Sequence, residues 1–497
     1  MMKPTLWLTA DSHSGSQPTG QQTNNQPGFR PLVEIRRHWA VFLGLAAALV
    51  VWCAVDVAPR ARIIPGQLHL HMTDFTVYTE AARAILNGQS PYEATNVRGW
   101  PYVYPPLFAL LVSPLAPLPE PWQAAAFFAL CIGFAFGSYC EIRWLLDLTR
   151  RPHDDNRPTE RLFAVLAFTV ALFPALNCLQ RGQVGLFLLY PLLAGLRWAL
   201  AEQSRAKWFA AGGLLALSPV IKLTPALPVC TLLLMLLIQA LLRRDRRARF
   251  AWVTAGTTGG AVFYLLLLPS LFVGWNRNLT HLETFYRVVV TKVDDVRTSD
   301  FGGNVASKRN QSLSNAAFRL GNWVAARTGA GPDDLLADKP GTPMPMDHPH
   351  ARQIILAVRL LALAGLLAVA VIAASRQDTL ALIAAYGLAM MATLVVSPVA
   401  RGHYFLLWLP GALFVPLWLD RAGSKAARRL AFVPAVLCVV HYLLLDFAGR
   451  VGLLGLGTTV WFFAAVFCLF PTCRAAPALL TDGDPMLPLA VADESLS

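Results

Sequence analysis

The chain has 497 residues, of which 55% are hydrophobic and only 14% charged; a soluble globular protein carries about 25% charged residues. Apolar runs near the bilayer-spanning length of about 20 residues recur from end to end, which excludes a soluble enzyme and defines an all-α polytopic membrane protein. The net charge of +13 does not signal nucleic acid, because the basic residues cluster in short gaps between apolar runs, as in "RRDRRAR" (243–249) and "DRAGSKAARR" (420–429). That is the charge pattern of cytoplasmic loops.

Residues 1–37 are polar and rich in Gln, Asn, Ser and Gly, and are expected to form a disordered cytoplasmic tail. The apolar run that follows begins too late for a signal peptide, and no small-residue cleavage site comes after it. A transmembrane domain over 38–475 is expected to contain about twelve spans. They fall near 38–58, 121–147, 161–176, 184–200, 208–221, 223–242, 250–272, 353–375, 379–397, 404–419, 430–447 and 452–471. Residues 476–497 are read as a short, mildly acidic cytoplasmic tail.

Arg36 and Arg37 before the first span place the N-terminus inside. The inner loops then hold "RRPHDDNRPTER" (150–161), "SRAK" (204–207), "RRDRRAR" and "DRAGSKAARR", while the short outer connections carry about one cation each: Arg181, Lys222, Arg401 and Arg450. The alternation returns the C-terminus to the inside. "PPLFALLVSPLAPLP" (105–119) is only half a span long and has five prolines, so it reads as an interfacial or re-entrant piece. This leaves 59–120 and 273–352 as large outer loops, the first and fourth of the series. The eight cysteines are mostly scattered inside apolar runs with no CxxC pair, and read as small core residues.

Several polar residues do not fit lipid-facing packing. They are Asp74, then Asn177, Gln180, Arg181 and Gln183 in "NCLQRGQVG", Lys222 in "SPVIKLTPALP", Asn310 and Gln311 in "KRNQSL", and Arg401 and His403 in "SPVARGHYF". The topology puts them all at the outer face. An ion near mid-membrane costs about 2.5–3.5 kcal/mol on insertion scales; at an interface it is cheaper, so each has a bland explanation. Lys222 or Arg401 alone can be a snorkelling anchor, and Gln180 and Gln183 can bond between helices. The convergence of five distant segments is the stronger signal. "TDFTVYTEAARAILNG" carries Phe75, Tyr78, Ala82 and Ile85 or Leu86 on one face with Gly88 as a stop. It reads as an amphipathic helix lying on the membrane, with Asp74 as its cap. A carboxylate at a helix start also stays ionised, which leaves it available as a base.

"TDFTVYTEAARAILNGQSPYE" followed by "YVYPPLFALLVSPLAPLP" resembles the N-terminal signature of glycosyltransferase family 87, and "GQVG", "IKLTPALP", "NQSL" and "SPVARGHYF" resemble its later motifs in the same order. The likeness covers roughly residues 40 to 420. It implies the GT-C fold, an active site on the extracytoplasmic face of the cell (inner) membrane, and Asp74 as catalytic base. It also implies a polyprenyl-phosphate-linked sugar donor, with mannose the expected sugar, and a glycan or glycolipid acceptor. Two departures touch sugar and acceptor identity: Gly185 stands where many members have Asn, and Ala400 with a single His403 stands where a Trp and paired His are frequent.

A sugar linked to a lipid phosphate leaves as a stable anion, so one base suffices where glycosidases commonly need two carboxylates. Lys222, Arg401, His403 and Arg181 are the candidates for the donor phosphate. Gln183, Asn310, Gln311 and Tyr78 are candidates for sugar or acceptor hydroxyls, and Tyr104, Pro105 and Pro106 for the lipid entry. No DxD-type pair stands in the first outer loop, and neither a metal nor a cofactor is expected. A transporter of lipid-linked sugars, or a related enzyme using glucose or arabinose, are the competing readings. The transporter would favour mid-membrane polar residues and internal repeats, neither of which is clear here.

Overall fold

The computed structural model describes residues 39–150, 157–291, 310–317, 349–376 and 378–474, with Val33 and Arg36. The predicted C-terminal tail, the N-terminal tail apart from Val33 and Arg36, and most of the fourth outer loop with Asp294, Asp295, Asp333 and Asp334 lie outside the described residues. The helices in chain order begin with α1 (Trp39–Trp52), α2 (Phe75–Leu86), α3 (Pro106–Val112), α4 (Glu120–Thr149) and α5 (Arg157–Arg181). Then come α6 (Gly185–Ala201), α7 (Arg205–Ile221), α8 (Ala226–Leu242), α9 (Arg247–Val262), α10 (Leu268–Val273) and α11 (Trp275–Phe285). The last are α12 (Pro349–Arg376), α13 (Thr379–Val396), α14 (Trp408–Arg421), α15 (Ala426–Leu443), α16 (Leu445–Val451) and α17 (Leu453–Arg474).

Each of the twelve predicted spans overlaps one or two of these helices. Among the described residues nine are long and apolar enough to cross a membrane. The other three, α6, α7 and α8, have 17 residues each. Large apolar side chains face outward on the peripheral helices, among them Val41, Val50, Leu271, Phe272 and Phe467. Such a belt is stable only against lipid. The molecule is an all-α multi-pass membrane protein.

The interior is assembled through small residues. A methyl group on Gly212 of α7 would sit 2.2 Å from the Val253 carbonyl oxygen of α9, and one on Gly256 would sit 2.0 Å from that of Phe209. The α7 and α9 backbones therefore touch, as small-residue stripes allow between membrane helices. α13 is buried along almost its whole length and meets α14 through Gly387 and Gly411 in the same way.

Two local expectations change. The α2 helix appears at the expected place, with a stop at Gly88 (φ +76°), but it does not lie on a surface. Phe75, Thr76, Val77, Tyr78, Thr79, Ala81, Ala82 and Ile85 are all buried, and only Leu86 of the expected apolar face is exposed. The Pro-rich segment folds back over it. Phe75 stacks on Phe127 of α4 at 4.3 Å, and Tyr78 meets Phe108 of α3 edge-on at 5.0 Å. The seven-residue α3 is too short to span and is nearly all buried, so 105–110 packs inside the protein, while Leu111, Pro114 and 117–119 are exposed. The second change is that α5 runs five residues past its predicted end, through "NCLQR". Nothing breaks it before Gly182, which has φ +66°.

Candidate active site

The outer loop 59–120 and the ends of five helices enclose one cavity of about 580 Å³. Asp74, Tyr78, Tyr104, Pro105, Arg181, Gln183, Lys222, Asn310, Arg401 and His403 all line it. Sequence-distant segments thus meet as the topology required. Of the predicted site residues, Gln311 and Pro106 lie outside the lining. Gln311 donates from Nε2 to the Gly449 carbonyl at 3.1 Å, and a side chain on Gly455 would strike its backbone. Pro106 is buried in the first turn of α3. Gln180 points elsewhere too, donating to Asp56 Oδ2 at 2.7 Å.

Asp74 precedes α2, yet its side chain makes no cap hydrogen bond. The hydroxyl of Thr73 accepts the Phe75 N–H at 3.2 Å instead. This frees the Asp74 carboxylate for a partner from another helix: Arg181 Nη2 donates to Oδ1 at 3.0 Å. The backbones are joined as well, since Asp74 N–H donates to the Arg181 carbonyl at 2.9 Å. Gly182 makes this approach possible. A Cβ there would lie 2.7 Å from Phe75 Cβ, and its positive φ disfavours any other residue. Asp74 Oδ2 accepts no hydrogen bond from the described residues.

Asp74 is the one acidic residue lining the cavity among the described residues, and it faces three cations: Arg181, Lys222 and Arg401. Arg181 keeps donors to spare, because its Nε is buried without a partner, and its guanidinium lies 5.5 Å from the Trp100 ring. Lys222 ends α7. Its ammonium sits 3.8 Å from the centre of the Tyr404 ring and 5.4 Å from that of Tyr104, a cation–π cradle that holds the charge without neutralising it. Arg401 is set by backbone pairing with Asn310. The Asn310 Oδ1 accepts from Ala400 N–H at 3.0 Å and Ser312 N–H at 3.1 Å, and Gln311 N–H donates to the Ala400 carbonyl at 2.6 Å.

His403 is buried, stacked edge-on against Tyr404 at 4.6 Å, and within electrostatic reach of all three cations. Its ring and the amide of Gln183 make no hydrogen bond with the described residues, so both can serve a ligand. The Tyr78 and Tyr104 hydroxyls lie 3.3 Å apart. Burial, reinforced by neighbouring negative groups, pushes the Tyr78 phenol well up, and burial raises Tyr104. Both remain hydrogen-bond donors at neutral pH. Gly185 also finds a reason: a side chain there would lie 2.7 Å from Cys178 Sγ and 3.4 Å from the His403 carbonyl.

Sequence reasoning missed Tyr404, Thr224, Ser397 and Trp100 as lining residues. Nothing in their spacing marks them. Asp56 was missed as well, although an acid at the end of the first span was a visible signal. It accepts from Trp52 Nε1, Arg60 Nε and Gln180 Nε2, and so fixes the turn that carries Arg181.

Helices of spanning length surround a cavity that gathers one carboxylate and three cations from distant segments, the arrangement of a candidate membrane-embedded site. The pattern of glycosyltransferase family 87 matches residues 102–398, more than half of the chain. The chain belongs to glycosyltransferase family 87 and is a membrane glycosyltransferase. It is similar to a polyprenol-phosphate-mannose-dependent alpha-(1-2)-phosphatidylinositol mannoside mannosyltransferase of Mycobacterium tuberculosis, 25% identical over 406 residues covering 77% of this chain and 81% of the relative. No solved structure matches the chain. The family match contains Tyr104, Arg181, Gln183, Lys222 and Asn310 but stops short of Asp74, Arg401 and His403, which rest on the geometry.

Proposed function

We propose that this enzyme transfers a hexose, with mannose the first candidate, from a polyprenyl-phosphate sugar to a hydroxyl of a glycan or glycolipid. The reaction inverts the anomeric centre, with Asp74 as general base, on the extracytoplasmic face of the inner membrane. The observation that carries this reading is one carboxylate facing three cations in a single cavity. The mannose-dependent relative supports the donor class. The basic loops at the opposite end of the bundle support the face, and the family resemblance supports the GT-C fold.

The acceptor hydroxyl gives its proton to Asp74 Oδ2 as its oxygen bonds to the anomeric carbon. The bond from that carbon to the phosphate oxygen breaks, and polyprenyl phosphate leaves as the anion. No acid is needed on the leaving side. Lys222 and Arg401 stabilise the charge that develops there. Arg181 touches Asp74 and has an unused donor, so it holds the base and can contact the phosphate in the same step. His403, whose ring carries no protein hydrogen bond, donates to a phosphate oxygen. Gln183 and the Tyr78 hydroxyl bind sugar or acceptor hydroxyls. Asn310 works through Arg401, whose backbone it clamps, and Gln311 through the same segment. Trp100, Tyr104 and Pro105 form the side where the lipid chain enters, with Pro106 buried behind them.

The test is a transfer assay in membranes with several polyprenyl-phosphate sugars, comparing the native chain with Asp74→Asn. Transfer from polyprenyl-phosphate mannose that disappears in the variant is the expected result. Equal transfer by both proteins would remove Asp74 as the base, and transfer from another sugar alone would replace the donor.

A further inference from the structure

A second, small pocket of about 70 Å³ lies between the α8 end, the α9 start and the α13 start, lined by Gln239, Leu242, Arg243, Arg246, Arg249 and Thr379 among others. It is at the far end of helices that also reach the large cavity. α8 runs from Leu227 in the cavity to Leu242 here, and α13 from Thr379 here to Val396 there. The two sites are therefore about 22–26 Å apart, at a helical rise of about 1.5 Å per residue. Arginines in a loop of this kind ordinarily serve topology and stay solvated. Arg249 does not. It is 7% exposed, donates from Nη2 to the neutral Gln239 Oε1 at 2.6 Å, and keeps a buried Nε with no partner.

The nearby carboxylates make their contacts with groups other than Arg249. Asp245 pairs with Arg243 at 3.1 Å and Arg246 at 3.3 Å, and Asp378 accepts the Leu380 N–H at 3.0 Å. Among the described residues none comes within salt-bridge distance of Arg249. A buried guanidinium that lacks a counter-ion is costly, and a bound anion resolves that cost. Three guanidinium groups, two of them sharing Asp245, and the Thr379 hydroxyl line this small space, an excess of cation over carboxylate that suits a phosphate group, which Arg binds through paired N–H donors.

We propose that this pocket binds a phosphate group, as the headgroup of an anionic lipid or as a free phosphate, at the membrane face opposite the transfer site. Leu241 and Leu242 beside it are exposed, which gives an acyl chain a place to run. The proposal is independent of the transfer chemistry.

The test measures binding of short-chain phosphatidylglycerol, short-chain diacylglycerol and inorganic phosphate to the purified full-length chain by native mass spectrometry. A Lys222→Met background removes a phosphate-directed cation from the distant cavity. Saturable binding of phosphatidylglycerol, inorganic phosphate or both is expected. It should weaken about tenfold in Arg246→Gln and in Arg249→Gln, the loss of one charge-assisted hydrogen bond. Arg246 is only half-buried, so its variant keeps the test valid should Arg249→Gln unfold; melting temperatures report the fold. Binding of the lipid alone assigns the headgroup as the source, and binding of inorganic phosphate a soluble one. No saturable binding of either, equal binding of diacylglycerol, or undiminished binding in Arg246→Gln overturns the site.

Discussion

The large cavity and the basic loops use charge in different ways. At the basic-loop end, cations meet acids close by in sequence: Arg150 with Asp147 and Glu160, Lys207 with Glu202, Arg243 and Arg246 with Asp245. Such pairs satisfy a loop locally and contribute little each. In the cavity three cations line the wall with one carboxylate, and the ion pair between Asp74 and Arg181 joins residues 107 apart. Charge that a protein gathers from distant segments into one cleft marks a candidate site for a ligand.

Mutations at the two ends can break that contrast. The largest effect is expected from Asp74→Asn, which should lower kcat by about 10²–10⁴-fold, the usual worth of a general base, with an unchanged melting temperature. Lys222→Met should lower kcat by about 10²–10³-fold, as for loss of one group stabilising transition-state charge. A rise in KM alone would assign Lys222 to uniform donor binding instead. Gly182→Ala places a methyl group 2.7 Å from Phe75 Cβ at a positive φ. It should cost about 1–3 kcal/mol of stability and reduce activity by displacing Arg181 from Asp74. Calorimetry and the transfer assay together check both halves.

A smaller effect concerns His71, fully buried in the first outer loop and bonded to Thr76 Oγ1 at 2.8 Å. Burial lowers its imidazole below the ordinary 6.5, against a weaker opposing pull from the Arg62 and Ala61 backbone and from Glu120, with Arg98 adding to the lowering. The folded protein holds the ring neutral while the unfolded chain takes up a proton below pH 6.5. Stability from this source is complete above 6.5 and falls as pH drops toward the folded value. His71→Asn should flatten the decline in melting temperature between pH 7.5 and 5.5. The smallest effect is expected at the other end: Lys207→Ala removes an exposed pair with Glu202 at 2.8 Å, costs less than about 1 kcal/mol, and leaves kcat unchanged.

The sequence alone determined the class, the helices and the end of the bundle where the site lies. A chain that is 14% charged has few ions to place, so those in the short outer connections stood out: Arg181, Lys222, Arg401 and, beside it, His403, with Asp74 in the first outer loop. Loop charge sorted them to one end, because hydropathy and the Lys/Arg bias are one-dimensional signals. What pattern could not supply was rotation about the helix axes and the course of the irregular segments. Gln180 and Arg181 are adjacent, yet one turns to Asp56 and the other to Asp74. Asn310 and Gln311 are adjacent too, and one lines the cavity while the other is spent on Gly449. Asp74 was legible as a helix cap or a base. Only the tertiary structure showed that Thr73 takes the local bond and that Gly182 admits Arg181, because those contacts are decided by close packing between segments that the sequence separates.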